Sequence, residues 1–174
     1  MTRPAGSERP ARRELMQAAL VGAGGMLAVP QLAQGAEADA ALPQKRGFRP
    51  PDAPSADASY TPAILASGGP LLFISGQGPA DLQADMETQI RQTFDRIGSL
   101  LEAGGATWDD VVIIRSYWVH MLRDIELFRK VRRDYLREPY PASTAVGTPE
   151  LAIPGLELEI EAVAVVGCGS ALRQ

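Results

Sequence analysis

The alternation of apolar and polar residues is most regular near the end of the chain, between residues 156 and 166. A strand here has a second face that carries Glu157, Glu159 and Glu161 and then Val163 and Val165. Valine favours burial, so this face is either covered by another subunit or half-exposed with a polar end. The first interpretation places a carboxylate at a seam between subunits. The opposite face is wholly apolar, with Leu156, Leu158, Ile160, Ala162 and Ala164.

Two helices are predicted from apolar residues at helical spacing. The first begins after an N-cap at Asp85 and ends at Gly104-Gly105, a pair typical of a helix C-terminus. The second is expected to be capped by Asp124 and to end before Pro139. The side chains predicted to face the core are Ile90, Phe94, Ile97 and Leu101 in the first helix, and Ile125, Phe128, Val131 and Tyr135 in the second.

Short β-branched or aromatic runs between turn residues predict the other strands, over residues 61–67, 71–75, 111–120 and from Tyr140 onwards. The resulting order, β-β-α-β-α-β-β, predicts an α+β fold with both helices on one face of a mixed sheet. That arrangement leaves the other face of the sheet bare. It is the main indication from the pattern alone that the protein is an oligomer.

The first 38 residues have the layout of an export signal, with a basic start, an apolar Ala/Gly-rich middle and small residues before a cleavage position after Ala38 or Ala40. Arg12-Arg13 resembles a twin-arginine signal, although the residues around the pair match it imperfectly. A disordered tail or a lone amphipathic helix is the alternative. Export predicts a periplasmic protein with no membrane association after signal removal. Residues 39–57 are predicted to form a linker or extended arm, residues 58–167 the domain, and residues 168–174 a tail.

The amino-acid composition excludes some kinds of functional site. The chain has 174 residues, one cysteine, one histidine and a net charge of -4. Cys168 alone excludes an internal disulfide, and there is no His/Cys cluster for zinc. The charge gives no support to a nucleic-acid partner, and the basic residues of the second helix alternate with acidic ones.

Five motifs occur in an order that resembles the Rid family, the YjgF-type reactive intermediate deaminases. They are Tyr60-Thr-Pro-Ala-Ile, Ile74-Ser-Gly-Gln-Gly-Pro79, Ala103-Gly-Gly-Ala-Thr-Trp-Asp-Asp-Val-Val112, Tyr140-Pro-Ala-Ser-Thr-Ala-Val146 and Leu158-Glu-Ile-Glu-Ala-Val-Ala164. The resemblance implies a chorismate-mutase-like fold and a homotrimer with clefts at the subunit seams. It also implies hydrolysis of enamines and imines without a metal or organic cofactor.

The resemblance also implies roles for individual residues. Glu159 matches the carboxylate that positions the attacking water, Tyr60 a tyrosine of the cleft, and Ser75-Gly76 a backbone that holds the substrate. Ser143 stands where active deaminases have an arginine that binds the substrate carboxylate. Arg129 stands where the family has an asparagine on the second helix that lines the cleft. A serine offers one donor and no charge, whereas a guanidinium grips a carboxylate with two hydrogen bonds.

Three hypotheses remain open at this point. Arg129 could supply a substitute cation, although it could equally belong to a solvated basic face with Lys130, Arg133 and Arg137. The ligand could lack a carboxylate, so that Ser143 and Glu159 form a neutral or cationic site. Alternatively, the trimer could bind a small molecule or protein without catalysis.

Overall fold

The computed structural model describes residues 42–53 and 55–170. The predicted export signal therefore lies outside the described residues. The eight main elements are β1 (Gln44–Phe48), β2 (Ala63–Ser67), β3 (Leu71–Gln77), α1 (Met86–Ala103), β4 (Val111–Trp118), α2 (Met121–Arg132), β5 (Ala142–Gly147) and β6 (Leu158–Val165).

Four strands form the main sheet in the order β3-β6-β4-β5. Strands β4 and β5 are parallel, whereas β6 is antiparallel to both of its neighbours. The sheet is therefore mixed, and with two helices it has the predicted α+β, chorismate-mutase-like fold. Strand β2 does not join this sheet, because it pairs with β1 in a separate antiparallel pair. β1 was not predicted and lies in the segment assigned to a linker or extended arm.

The core lies between the helices and one face of the sheet. The four apolar residues predicted for α1 are at most 1% exposed, as is Phe128 of α2. Phe94 and Phe128 stack with their ring centroids 6.0 Å apart, so the two helices share this core. All five apolar residues predicted for one face of the last strand are buried, with exposures between 0% and 5%. Both helices therefore cover the same face of the sheet, as predicted.

The helix ends agree only in part with the sequence prediction. The Asp85 side chain accepts a hydrogen bond from the Thr88 N–H at 3.0 Å, which confirms the N-cap of α1. The predicted cap at Asp124 is wrong, because α2 begins earlier with His120 at the N-cap position. Asp124 is instead a buried residue of the first turn and accepts hydrogen bonds from Arg123. None of the helices in the described part of the chain is long and apolar enough to cross a membrane.

The other face of the sheet carries no helix in the described structure. Phe73 is 71% exposed and Leu71 is 60% exposed, and they pair across the strands with Val163 and Val165. An apolar patch on an otherwise polar surface commonly marks a contact with another molecule. The prediction of a bare sheet face is confirmed, and the apolar part of it lies beside the three carboxylates of β6.

Candidate functional site

A β-bulge brings Ser75 and Gly76 against strand β6. Ile74 pairs with Ala162 and Gln77 pairs with Ile160, so three steps along β3 span two steps along β6. Such a bulge bends the strand and re-aims the groups around it. The Gln77 side chain supports the bulge by donating hydrogen bonds to the carbonyl oxygens of Ser75 and Gly76, at 3.0 Å and 3.1 Å.

The Glu159 carboxylate occupies the space above Gly76. A Cβ atom added to Gly76 would lie 1.6 Å from Oε1 of Glu159, which no side chain at residue 76 could tolerate without displacing Glu159. The missing side chain of Gly76 thus makes room for the carboxylate. The structure therefore brings together three of the predicted site residues, Ser75, Gly76 and Glu159.

Glu159 differs from its two neighbours on the same face of β6. Glu161 accepts a hydrogen bond from Arg115 at 2.7 Å, and Glu157 accepts one from Arg123 at 2.5 Å. The Glu159 side chain has no hydrogen bond or ion pair with any other residue that the structure describes. Its half-buried carboxylate is thus the one of the three that is available to a ligand or a water molecule.

A second group of predicted residues forms around Ser143 on β5. The Ser143 hydroxyl accepts a hydrogen bond from Nη1 of Arg132, at the C-terminal end of α2, at 3.1 Å. Tyr60 lies next to this group, since the N–H of Thr61 donates to the carbonyl oxygen of Pro141 at 3.3 Å. Arg133 donates a hydrogen bond to the Ser59 hydroxyl at 2.8 Å and so holds the loop that precedes Tyr60 against α2.

Arg132 is a buried cation with free donors. Its side chain is 3% exposed, and its Nε and Nη2 have no hydrogen-bond partner within residues 42–53 and 55–170. The guanidinium carbon lies 5.0 Å from the centre of the Phe128 ring. Burial lowers the pKa of Arg132 to about 10; Tyr140 opposes this shift, whereas the charges of Arg129 and Arg133 add to it. At neutral pH the side chain still carries its charge.

Arg129 takes no part in this group. It pairs with Glu126, three residues earlier on the same helix, and its side chain is 44% exposed. This arrangement agrees with the alternative that Arg129 belongs to a solvated basic face. The arginine that reaches Ser143 is Arg132, which the sequence analysis did not single out. Helical spacing could have indicated it, because Arg132 follows the core residue Phe128 by four positions.

The two groups lie on opposite faces of the sheet. Ser143 faces α2, as its hydrogen bond with Arg132 shows. Glu159 alternates with Leu158 and Ile160, which are fully buried under the helices, so it points to the bare face. Within one chain, the structure therefore does not bring Glu159 together with Ser143. A single ligand could contact both groups only if they came from different subunits.

No metal site is evident in the described part of the chain, which contains no group of three or more histidine, cysteine, aspartate or glutamate residues able to hold an ion. The two site groups instead offer a carboxylate, a hydroxyl, a guanidinium and backbone groups. These are the elements of acid–base chemistry and of anion binding.

Comparisons with known proteins agree with the motifs. The family model for endoribonuclease L-PSP matches residues 50–166, which is more than half of the chain. The RutC family protein YjgH of Escherichia coli is 33% identical over 114 residues, covering 63% of this chain and 84% of that protein. A 2-iminobutanoate/2-iminopropanoate deaminase of Dermatophagoides farinae is 26% identical over 128 residues, covering 70% of this chain and 97% of that protein.

Solved structures show the same fold. The crystal structure of YyfB from Yersinia pestis, a protein of unknown function in the conserved Rid family, superposes with a TM-score of 0.63 at 27% identity, covering 70% of this chain and 98% of that chain. The structure of protein YJGH superposes with a TM-score of 0.52 at 31% identity, covering 71% of this chain and 97% of that chain. Sequence and structure together show that this chain belongs to the endoribonuclease L-PSP family, which includes the YjgF and Rid proteins.

Proposed function

We propose that the protein is a homotrimer with a ligand cleft at each subunit seam, and that it hydrolyses an enamine, an imine or a related carbonyl compound. The observation that carries this proposal is the position of Glu159. Its carboxylate lies against the Gly76 backbone, is half-buried and has no partner among the described residues. The similarity to an imine deaminase supports the same reaction class.

The arrangement of the site and of the bare sheet face supports the proposed trimer. Phe73 and Leu71 expose apolar surface beside Glu159, and a neighbouring subunit would bury it. A head-to-tail contact, in which one face of a subunit meets a different face of the next, can close into a ring, and the proposed ring has three subunits. Such a contact would also bring the Glu159 group of one subunit to the Ser143 group of the next.

In the reaction, the Glu159 carboxylate would accept a proton from a water molecule as that water attacks the carbon of a C=N bond. That proton would then pass to the nitrogen to give a carbinolamine. Transfer of the hydroxyl proton of the carbinolamine to the same nitrogen would let ammonia leave as the carbonyl forms. Backbone groups at Ser75-Gly76 would hold the polar atoms of the ligand, and Tyr60 would line the cleft. A positioned general base typically contributes about 10²- to 10⁴-fold to the rate.

The test is ammonia release from an imine that an amino-acid oxidase generates in situ. We expect the protein to accelerate release, and Glu159→Gln to lower kcat/KM by about 10²-fold or more without dissociating the trimer. Glu161→Gln is the matched control, because that carboxylate lies on the same face of β6 but is occupied by Arg115. The absence of any acceleration would favour a trimer that binds a small molecule or a protein without catalysis.

We also propose that the protein works in the periplasm. The basis is the sequence of residues 1–38, in which the three parts of an export signal follow one another in the usual order. Fractionation of cells that produce the full chain tests this proposal. Replacing Arg12 and Arg13 with lysine should leave the protein in the cytoplasm.

A further inference from the structure

Tyr117 of β4 lies directly across from Glu159 on the bare face of the sheet. The register of β4 and β6 pairs these two residues. Ser116 and Trp118, on either side of Tyr117, are fully buried under the helices, so the half-buried tyrosine side chain points to the other face. Directly opposed residues of antiparallel strands have Cβ atoms about 4.5–5.5 Å apart. The Tyr117 and Glu159 side chains are therefore neighbours.

The adjacent pair on this face shows that opposed side chains reach each other. Arg115 and Glu161 occupy the next pair of the same register, and Nη1 of Arg115 lies 2.7 Å from Oε1 of Glu161. At the other end of the row, Glu157 forms an ion pair with Arg123. Guanidinium groups thus neutralise the outer two carboxylates. The middle one, Glu159, faces an uncharged phenol instead.

The Tyr117 hydroxyl is a donor without a partner. Within the described part of the chain it forms no hydrogen bond, whereas the hydroxyl of Tyr135 donates to Asp95 at 2.9 Å. A tyrosine hydroxyl usually has a partner when it is covered, and the proposed trimer would cover this face of the sheet. A phenol can donate a hydrogen bond, which an ionised carboxylate cannot do. Tyr117 and Glu159 therefore offer a donor and an acceptor side by side.

We propose that the Tyr117 hydroxyl donates a hydrogen bond to the ligand, at the nitrogen of an imine or the oxygen of a carbonyl, while Glu159 acts on the attacking water. This inference rests on the proposed function and adds a second catalytic residue to the same cleft. As water adds to the carbon, an electron pair of the C=N bond moves onto the nitrogen, and a donor placed there stabilises the charge that develops. Tyr117 keeps its own proton, so the proton passed on by Glu159 still completes the carbinolamine.

Tyr117→Phe tests the proposal in the ammonia-release assay, because it removes the hydroxyl and keeps the ring. We expect kcat to fall by about 10²-fold and KM to change by less than about threefold, since the donor acts mainly in the transition state. Tyr135→Phe is the matched control, because its hydroxyl donates to Asp95 and its ring stacks on Phe94 on the helix side of the sheet. Unchanged kcat in folded Tyr117→Phe, or an equal loss in Tyr135→Phe, would overturn the proposal.

A binding measurement tests the same contact without catalysis. 2-Oxobutanoate has a carbonyl oxygen that can accept the hydrogen bond, and butanoate has the same chain and carboxylate without that oxygen. In isothermal titration of the full chain, Tyr117→Phe should weaken 2-oxobutanoate binding by about three- to tenfold and leave butanoate binding within about twofold. The same difference should persist in a Glu159→Gln background, which excludes a tyrosine that only orients Glu159. Equal effects on the two compounds, or no binding of 2-oxobutanoate, would contradict a donor at this position.

The two measurements separate this inference from the proposed reaction. Glu159→Gln alone should abolish ammonia release and leave 2-oxobutanoate binding within about threefold of the unmodified protein. If Tyr117→Phe selectively weakens 2-oxobutanoate binding but no imine is hydrolysed, the donor stands and the catalytic proposal fails. If Tyr117→Phe hydrolyses imines as fast as the unmodified protein, the reaction stands and this inference fails.

Discussion

Replacing Gly76 with alanine tests whether the Glu159 carboxylate is positioned by the bulge in β3. The added Cβ would lie 1.6 Å from Oε1, 2.4 Å from Cδ and 2.7 Å from Cγ of Glu159. Ordinary contacts begin at 3.4 Å, so the carboxylate oxygen must move by about 1.8 Å. A misplacement of about 1 Å can cost about 10²-fold in rate, so we expect kcat/KM to fall by at least that factor.

The same substitution should hardly change the stability of the fold. Gly76 does not have a positive φ, so alanine fits its backbone, and the obstructing atoms belong to the end of a flexible side chain. A rotamer change of Glu159 and the reduced entropy of the unfolded chain each amount to about 1 kcal/mol or less, with opposite signs. Urea denaturation should therefore show an unfolding free energy within about 1 kcal/mol of the original.

Gly147→Ala is the matched control for this experiment. Its added Cβ would meet only the Cβ of Met121, at 3.9 Å, so both activity and stability should be retained. A double-mutant cycle gives a second check, because any destabilisation by Gly76→Ala should disappear when residue 159 is alanine. Full activity in folded Gly76→Ala would refute the idea that the carboxylate acts from its position above residue 76.

Three further predictions concern other parts of the structure. Phe94→Ala removes a fully buried ring from the core and should lower the unfolding free energy by about 3–5 kcal/mol in urea denaturation. Phe73→Asp places a charge on the bare sheet face, so light scattering should give the 18.6 kDa of one chain, whereas the unmodified protein should give three times that mass. Ser143→Arg places a second guanidinium beside the buried Arg132 and should lower the thermal midpoint, and adding Arg132→Gln should restore it.

Local periodicity was sufficient to predict the elements that form the core. Phe94 and its neighbours in α1, and the apolar side of β6, repeat at helical and strand spacing and are buried as that spacing requires. Strand β1 could not be predicted in this way. Its sequence is Gln-Lys-Arg-Gly-Phe, its residues alternate between exposed and half-buried, and its pairing with β2 depends on residues about twenty positions away. Tertiary pairing of this kind leaves no pattern in a polar segment.

The candidate site was predictable only in part, for a related reason. Glu159 and Gly76 each stood out in the sequence, but their contact depends on the bulge that shifts the register of β3 against β6. Arg132 is one of several basic residues of α2, and only its spacing of four positions from Phe128, not the composition of the helix, indicates that it points inward. Cys168, the first residue of the predicted tail, is 1% exposed, and its thiol donates a hydrogen bond to the carbonyl oxygen of Asp110 at 3.5 Å.

Mixed trimers test most directly whether the cleft is shared between subunits. Glu159→Gln and Tyr60→Ala would be denatured separately, combined in equal amounts, refolded together, and assayed for ammonia release from an imine generated in situ. In a head-to-tail ring of three, random assembly gives intact Glu159 and Tyr60 at about a quarter of the seams. The account predicts activity above the mean of the two variants, because those seams hold a complete cleft. Activity no greater than the mean of the two variants would contradict a site built from two subunits.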